Sequence, residues 1–164
     1  MSEQRIENFI SKIFSEDAQK GALDFISYLR KNEIVFERGE EYWSDKLYWR
    51  IKYKGEYVCF ILINSTEDKT EAEGWTVWSD DSDSNWFADF PVGEHMKETA
   101  WKNVDFCANC GGCKNPGGTC KTVLGKKFDD VCITTMKFVN PDIETLEFMK
   151  KMVEIRKNDI LKNI

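Results

Sequence analysis

The chain has 164 residues, of which 23 are basic and 29 acidic, so its formal net charge at pH 7 is -6. This length fits a single domain over residues 1–164, large enough to bury a core without help from disulfides. The acidic balance provides no general attraction to phosphate backbones, so it disfavours nucleic acid as a partner.

The chain begins with a polar segment, Met1 to Glu7. This segment has neither the basic start nor the apolar run of a secretory signal, so export is disfavoured and a cytoplasmic location is predicted. The longest uninterrupted apolar stretch, Tyr57 to Ile63, is far shorter than the roughly 20 residues needed to cross a bilayer. No membrane partner is expected.

Two amphipathic helices are predicted next. Apolar residues recur at helical spacing before a polar break at Ser15, namely Ile6, Phe9, Ile10, Ile13 and Phe14. Ser15 suits the N-cap of a second helix, because Glu16 and Asp17 then lie in the first turn, where the helix dipole favours acids. This helix is expected to end near Asn32.

The period then changes to that of strands. Trp49, Ile51 and Tyr53 alternate with Arg50, Lys52 and Lys54, which predicts a strand with one wet face. The turn Lys54-Gly55 leads into the apolar run from Tyr57 to Ile63, which is typical of a central strand covered on both faces. Trp75 to Trp78 completes a three-stranded antiparallel meander after the polar loop from Ser65 to Glu73.

The second half predicts a helix from Gly93 to Val104, a fourth strand from Val131 to Val139 and a closing helix. Asn140-Pro141-Asp142 predicts the start of that last helix, because Asn is a common N-cap and Pro is favoured at the first helical position. The predicted fold is α+β: an antiparallel sheet of about four strands packed by N- and C-terminal helices, with a cysteine-rich metal-binding loop inserted at residues 107–120.

The strongest motif is this cysteine loop. It reads Cys107-Ala-Asn-Cys110-Gly-Gly-Cys113-Lys-Asn-Pro-Gly-Gly-Thr-Cys120, with four thiols in one short glycine-rich segment. A Cys-x-x-Cys turn lets two sulfurs converge on one ion, and four thiolates satisfy tetrahedral zinc. In a reducing compartment such a pattern favours metal binding over disulfides. Cys107, Cys110, Cys113 and Cys120 are therefore the expected zinc ligands, with Cys132 as a substitute.

Three other interpretations of the loop stay open. An iron-sulfur cluster is the first, although Lys121 follows Cys120 where bacterial ferredoxin runs have a proline. Free thiols that oxidise on purification are the second, and thiol redox chemistry is the third. Cys59 lies in the apolar strand and is expected to pack as a small hydrophobe. The only histidine, His95, is expected to be an exposed helix residue.

Aromatic residues crowd the strand half of the chain. Because neighbours on a strand point to opposite faces, Tyr48, Trp49, Trp75 and Trp78 cannot all enter one core. The simplest alternative is ordinary core packing. The functional hypothesis is a ligand cleft lined by these four residues for a flat or cationic small molecule, with acidic side chains such as Glu37 at its edge.

A resemblance covers the chain from about Trp43 to its C-terminus. The tract from Glu98 through the cysteine loop, the segment Leu124-Gly-Lys-Lys-Phe-Asp-Asp-Val-Cys132 and the closing helix resemble a domain-of-unknown-function group of small cysteine-cluster proteins from anaerobic bacteria. The resemblance implies an anaerobic, cytosolic setting and no particular activity. Such a setting favours reduced thiols.

The sequence thus predicts a non-enzymatic binding module for a small ligand or a protein partner, with zinc as its structural metal. A thiol or iron-sulfur redox protein is the competing class. No hydrolase motif and no glycine-rich phosphate loop after a strand occurs in the sequence. No catalytic residue is therefore predicted.

Overall fold

The computed structural model describes residues 5–39, 47–63, 74–80, 85–107 and 117–163. These residues form a seven-stranded antiparallel sheet and four helices. In chain order they are α1 (Ile6–Ile13), α2 (Glu16–Lys31), β1 (Val35–Arg38), β2 (Leu47–Tyr53), β3 (Glu56–Ile63), β4 (Trp75–Ser79), α3 (Glu94–Lys102), β5 (Val104–Phe106), β6 (Thr119–Val123), β7 (Lys126–Val139) and α4 (Ile143–Lys162).

The sheet is built around the predicted meander. Its strand order is β1-β2-β3-β4-β7-β5, and β6 also pairs with β7. Strand β7 is long, with 14 residues, so its C-terminal end pairs with β4 while its N-terminal half forms a hairpin with β6. The predicted α+β class and the order of the meander strands agree with this arrangement.

The prediction of about four strands is wrong. It misses β1, β5 and β6. Strands β1 and β5 have only four and three residues, and β6 has the polar sequence Thr-Cys-Lys-Thr-Val. Such short or polar segments show no alternation of apolar and polar residues from which a strand could be predicted. They are strands because they form hydrogen bonds with β2 and β7.

The predicted metal-binding insertion is also absent from the described fold. Within the described ranges, no group of three or more histidine, cysteine, aspartate or glutamate residues is placed to hold a metal ion. Cys110 and Cys113 lie outside those ranges.

The main core lies between one face of the sheet and the helices. Phe9 of α1 contacts the Trp49 ring at 5.6 Å between centroids, Phe25 of α2 contacts Trp75 at 5.9 Å, and Phe148 of α4 contacts Phe138 at 5.9 Å. Among the described helices, none combines the length and the apolar run required to span a bilayer.

The helix ends differ from the prediction in α3 and in α4. The helix predicted from Gly93 to Val104 ends at Lys102, and Val104 already belongs to β5. Ser15 stands at the N-cap of α2, as predicted. Asp142, and not Asn140, caps α4, because its carboxylate accepts a hydrogen bond from the Thr145 amide at 2.8 Å. Asn140 adopts a positive φ of 44° and accepts a hydrogen bond from the Trp75 amide through its side chain. It therefore joins the end of β7 to β4.

Candidate functional site

The four aromatic residues predicted to line one cleft are divided between the two faces of the sheet. Trp49 and Trp75 face the helices and belong to the main core, where each is 3% exposed. Tyr48 and Trp78 alternate with them along β2 and β4 and so point to the other face. Tyr48 is buried there, outside the main core, and Trp78 is half-buried.

We call this second surface the outer face. The described residues assigned to it include Glu37, Tyr48, Arg50, Lys52, Tyr57, Phe60, Leu62, Trp78, Asp105, Cys132 and Lys137. Tyr48 and Leu62 are buried there without being part of the main core. The outer face is thus a second, smaller cluster with both aromatic and charged members.

The centre of the outer face is a transverse row across five strands. The strand register pairs Glu37 with Arg50, Arg50 with Phe60, Phe60 with Trp78 and Trp78 with Lys137. Directly paired side chains lie on the same face of a sheet. Two half-buried aromatic rings therefore stand side by side with a cation on either side, and the Lys137 ammonium lies 5.7 Å from the Trp78 ring centroid.

At one end of the row Glu37 bridges two cations. Its carboxylate lies 2.6 Å from Arg50 Nη2 and 3.1 Å from Lys52 Nζ. The hydrogen bond from Lys52, helped by the charge of Arg50 and opposed by desolvation, lowers the pKa of Glu37. The Lys52 ammonium also lies 5.1 Å from the Tyr57 ring centroid. Glu37 is therefore an ionised carboxylate whose two oxygens are both engaged.

At the other end of the row Asp105 joins Trp78 to Cys132. The carboxylate of Asp105 accepts hydrogen bonds from the side chains of Trp78 and Cys132. Desolvation raises the pKa of Asp105, although the charge of Lys137 and these two hydrogen bonds oppose the increase. The Cys132 sulfur also accepts a hydrogen bond from Thr134 Oγ1 at 3.5 Å. Asp105 thus orients the indole of Trp78.

A β-bulge brings Cys132 to this face. Strict alternation along β7 places Cys132 on the same side as the core residues Met136 and Phe138. Thr135 is an extra residue with a φ of 68°, and its neighbour Met136 is also buried, so the alternation reverses at this point. The Ser79 hydroxyl holds the bulge by donating to the Thr134 carbonyl and accepting from the Met136 amide.

The raised pKa of Asp105 leads to a pH prediction. As pH rises from the ordinary aspartate value of 3.8, the unfolded chain ionises first, so the folded state loses stability until the raised folded pKa is passed. Asp105→Asn removes this loss and retains an oxygen that can accept from Trp78. The stability of the variant relative to the wild type, measured by urea unfolding, should rise as the pH increases above 3.8 and level off once the raised pKa of folded Asp105 is passed. A difference that falls with pH would contradict the prediction.

The two ends of the cysteine loop are attached to opposite edges of β7. Phe106 of β5 and Thr119 of β6 both pair with Val131. The Cys107 amide donates to the Asp130 carbonyl at 2.7 Å. Two neighbouring strands on either side of a third are roughly 10 Å apart. Cys107 and Cys120 are therefore separated by the width of β7, and residues 108–116 join the two edges.

Gly118 is required where the loop returns to β7. Its φ is +77°, and a Cβ atom there would lie 2.5 Å from the Asp130 carbonyl carbon. Gly118→Ala should lower the free energy of unfolding by more than about 1 kcal/mol, because it adds a backbone clash to the strain of a positive φ. Gly117→Ala is the matched control, since Gly117 has a φ of +92° but a Cβ atom added to it would meet no described atom within 4 Å. Equal losses in chemical denaturation would contradict this role of Gly118.

The described cysteines and the histidine lie in different surroundings. Cys59 is fully buried, and burial together with the nearby charge of Asp80 raises the pKa of its thiol, which confirms its prediction as a core residue. Cys120 is exposed, and Cys107 and Cys132 are half-buried. His95 is exposed and lies 3.4 Å from Glu144, as expected of a surface helix residue.

Several outer-face residues were not identified from the sequence as site residues, namely Arg50, Lys52, Phe60, Asp105 and Lys137. The alternation of Arg50 and Lys52 predicted a wet face but not its partners, which come from distant strands. Comparison with protein-family models, with curated proteins and with solved structures found no match. The site is therefore interpreted from its own chemistry.

Proposed function

We propose that the protein is a non-enzymatic binding module that holds a small planar molecule against Phe60 and Trp78 on the outer face. The observation that carries this proposal is the pairing of these two half-buried rings within one transverse row, outside the main core. Aromatic rings offer a large apolar surface at low conformational cost, and neighbouring polar groups orient the bound molecule.

The surroundings of Trp78 support this proposal. Asp105 accepts a hydrogen bond from its side chain, and Lys137 lies over its ring. A side chain held in this way loses little further freedom when a ligand stacks on it, so less binding free energy is spent on ordering the site. A partner protein could contact the same surface, and it is the alternative that the experiment must separate.

The experiment uses the indole N–H signals of the six tryptophans in nuclear magnetic resonance. Three naphthalene probes, 2-naphthoate, 2-naphthalenemethanol and 2-naphthylmethylamine, share one ring system and differ in charge. We expect at least one probe to shift the Trp78 signal, assigned from its loss in Trp78→Phe, because ring currents act on nearby protons.

Trp101 provides the matched control. It also has a lysine over its ring, with Lys126 Nζ at 5.2 Å from the centroid, but it packs against the main core. Its signal should stay unchanged, and Trp101→Phe should retain binding while Trp78→Leu weakens it. If no probe shifts the Trp78 signal, the small-molecule proposal fails and a protein partner becomes the leading alternative.

A zinc ion at the cysteine loop stays a proposal that rests on the sequence. Its expected ligands Cys107, Cys110, Cys113 and Cys120 include two residues outside the described ranges. Four thiolates suit tetrahedral zinc, and iron-sulfur binding uses the same donors. Elemental analysis of protein purified without oxygen tests both, since iron with visible absorption identifies a cluster, and absence of both metals rejects each proposal.

A further inference from the structure

Over the residues that the structure describes, the charge of the outer face differs in sign from that of the whole chain. The chain has a net charge of -6. On the described part of the outer face, three cations, Arg50, Lys52 and Lys137, face two acids, Glu37 and Asp105. A local positive surplus on an acidic protein attracts anionic ligands to that surface and repels cations.

Neither acid is available to a cationic ligand. Glu37 is engaged by Arg50 and Lys52 through both carboxylate oxygens. Asp105 is half-buried and accepts hydrogen bonds from Trp78 and Cys132, and its pKa is raised. A cationic ligand would have to break one of these arrangements and would also meet the Lys137 ammonium. The described charges of the face therefore oppose the cationic alternative of the flat or cationic ligand that the sequence suggested.

Arg50 can accept a new anionic partner. Arg50 Nε is buried and has no hydrogen-bond partner among the described residues, so this guanidinium keeps one donor unsatisfied even while Nη2 is paired with Glu37. An unsatisfied buried donor is costly, and a carboxylate can engage a guanidinium through two parallel hydrogen bonds. Arg50 is thus only partly satisfied by Glu37.

Building on the binding function proposed above, we infer that the ligand is a planar molecule with a carboxylate, and that this carboxylate displaces Glu37 from Arg50 and Lys52. The ring lies on Phe60 and Trp78. Because Arg50 and Phe60 are directly paired on adjacent strands, roughly 5 Å apart, a carboxylate attached to the ring reaches the guanidinium. Glu37 is then an internal competitor that occupies the anion position when no ligand is bound.

The test measures the affinities of the same three naphthalene probes by calorimetry at pH 7 and low salt. We expect 2-naphthoate to bind more tightly than 2-naphthalenemethanol, and 2-naphthylmethylamine to bind most weakly. Added salt should reduce the advantage of naphthoate, because exposed charges are screened. If naphthoate binds no better than the alcohol, this inference is wrong while the planar binding site stands. If none of the probes binds, the proposed function itself fails.

Two variants test the role of Glu37. Glu37→Gln removes the competing charge and should increase naphthoate affinity by about threefold to tenfold, the effect expected from losing two partly exposed ion pairs, with little change for the alcohol. Lys52→Gln should weaken naphthoate binding by a similar factor and leave the alcohol unchanged.

Glu7→Gln is the matched control. Glu7 forms a comparable two-oxygen pair with Arg30 on the helical side of the protein, so its loss should not alter naphthoate affinity. Thermal unfolding verifies that each variant is folded. An unchanged or reduced naphthoate affinity in folded Glu37→Gln would overturn the competitor role, because Glu37 would then serve to position Arg50 instead.

Discussion

Replacing Arg156 with methionine should lower the free energy of unfolding by about 3–5 kcal/mol, the usual cost of leaving a buried charge without its partner. Arg156 and Asp80 are each 4% exposed. The Arg156 Nε atom donates to the Tyr57 carbonyl at 2.9 Å and lies 3.5 Å from the Asp80 carboxylate, while Nη1 lies 2.7 Å from Asp159. The variant therefore leaves a buried carboxylate and a carbonyl without this donor.

Two further variants separate the charge effect from lost packing. Adding Asp80→Asn to Arg156→Met should recover part of the loss, because it removes the uncompensated charge while its amide oxygen can still accept from Trp86 Nε1. Arg30→Met breaks the more exposed pair with Glu7 and should cost no more than about 1 kcal/mol. Similar losses for Arg156→Met and Arg30→Met in urea unfolding would show that the buried network is not a major source of stability.

Trp75→Ala and Trp78→Ala should have very different costs although both residues lie on β4. Trp75 packs against Phe14 and Phe25 in the main core, so its truncation should cost about 3–5 kcal/mol. Trp78 is half-buried on the outer face. Its truncation should lower the free energy of unfolding by less than about 2 kcal/mol, since less apolar area is returned to water.

Denaturant unfolding of the two variants also bears on function. If Trp78 serves ligand binding, its side chain should contribute little to the stability of the fold. If it belongs to a second core on the outer face, its loss should be strongly destabilising. If Trp78→Ala costs as much as Trp75→Ala, Trp78 acts as a core residue and the planar binding site loses its central support. The planar binding site would also lose support if 2-naphthoate still changed the fluorescence of the Trp78→Ala variant.

Buried and exposed charges are therefore expected to contribute differently to stability and to ligand affinity. Asp80, Arg156 and Asp159 join α4 to β3 and to the segment after β4, with Trp86 as an additional donor. Their removal should affect stability without altering the charge of the outer face. Glu37, Arg50 and Lys52 are more exposed, so their substitution should change ligand affinity more than stability.

The helices and the meander could be predicted because each carries its own local pattern. The stripe of α2, with Ala22, Phe25, Ile26 and Leu29 buried, needs no partner to be recognised, and the apolar run of β3 identifies a central strand without knowledge of its neighbours. The spacing of apolar residues in a segment depends on which of its faces is buried. It can therefore be recognised without knowing which distant segments pack against it.

The candidate site could not be predicted in this way, because its members come from six strands. The row from Glu37 to Lys137 exists only through the register of four strand pairs, and one shift of register would send each side chain to the other face. Cys132 reaches the outer face only because Thr135 interrupts the alternation of β7. The Ser79 hydroxyl that holds this bulge lies 57 residues before Met136 in the chain. The bulge therefore cannot be predicted from the sequence of β7 alone.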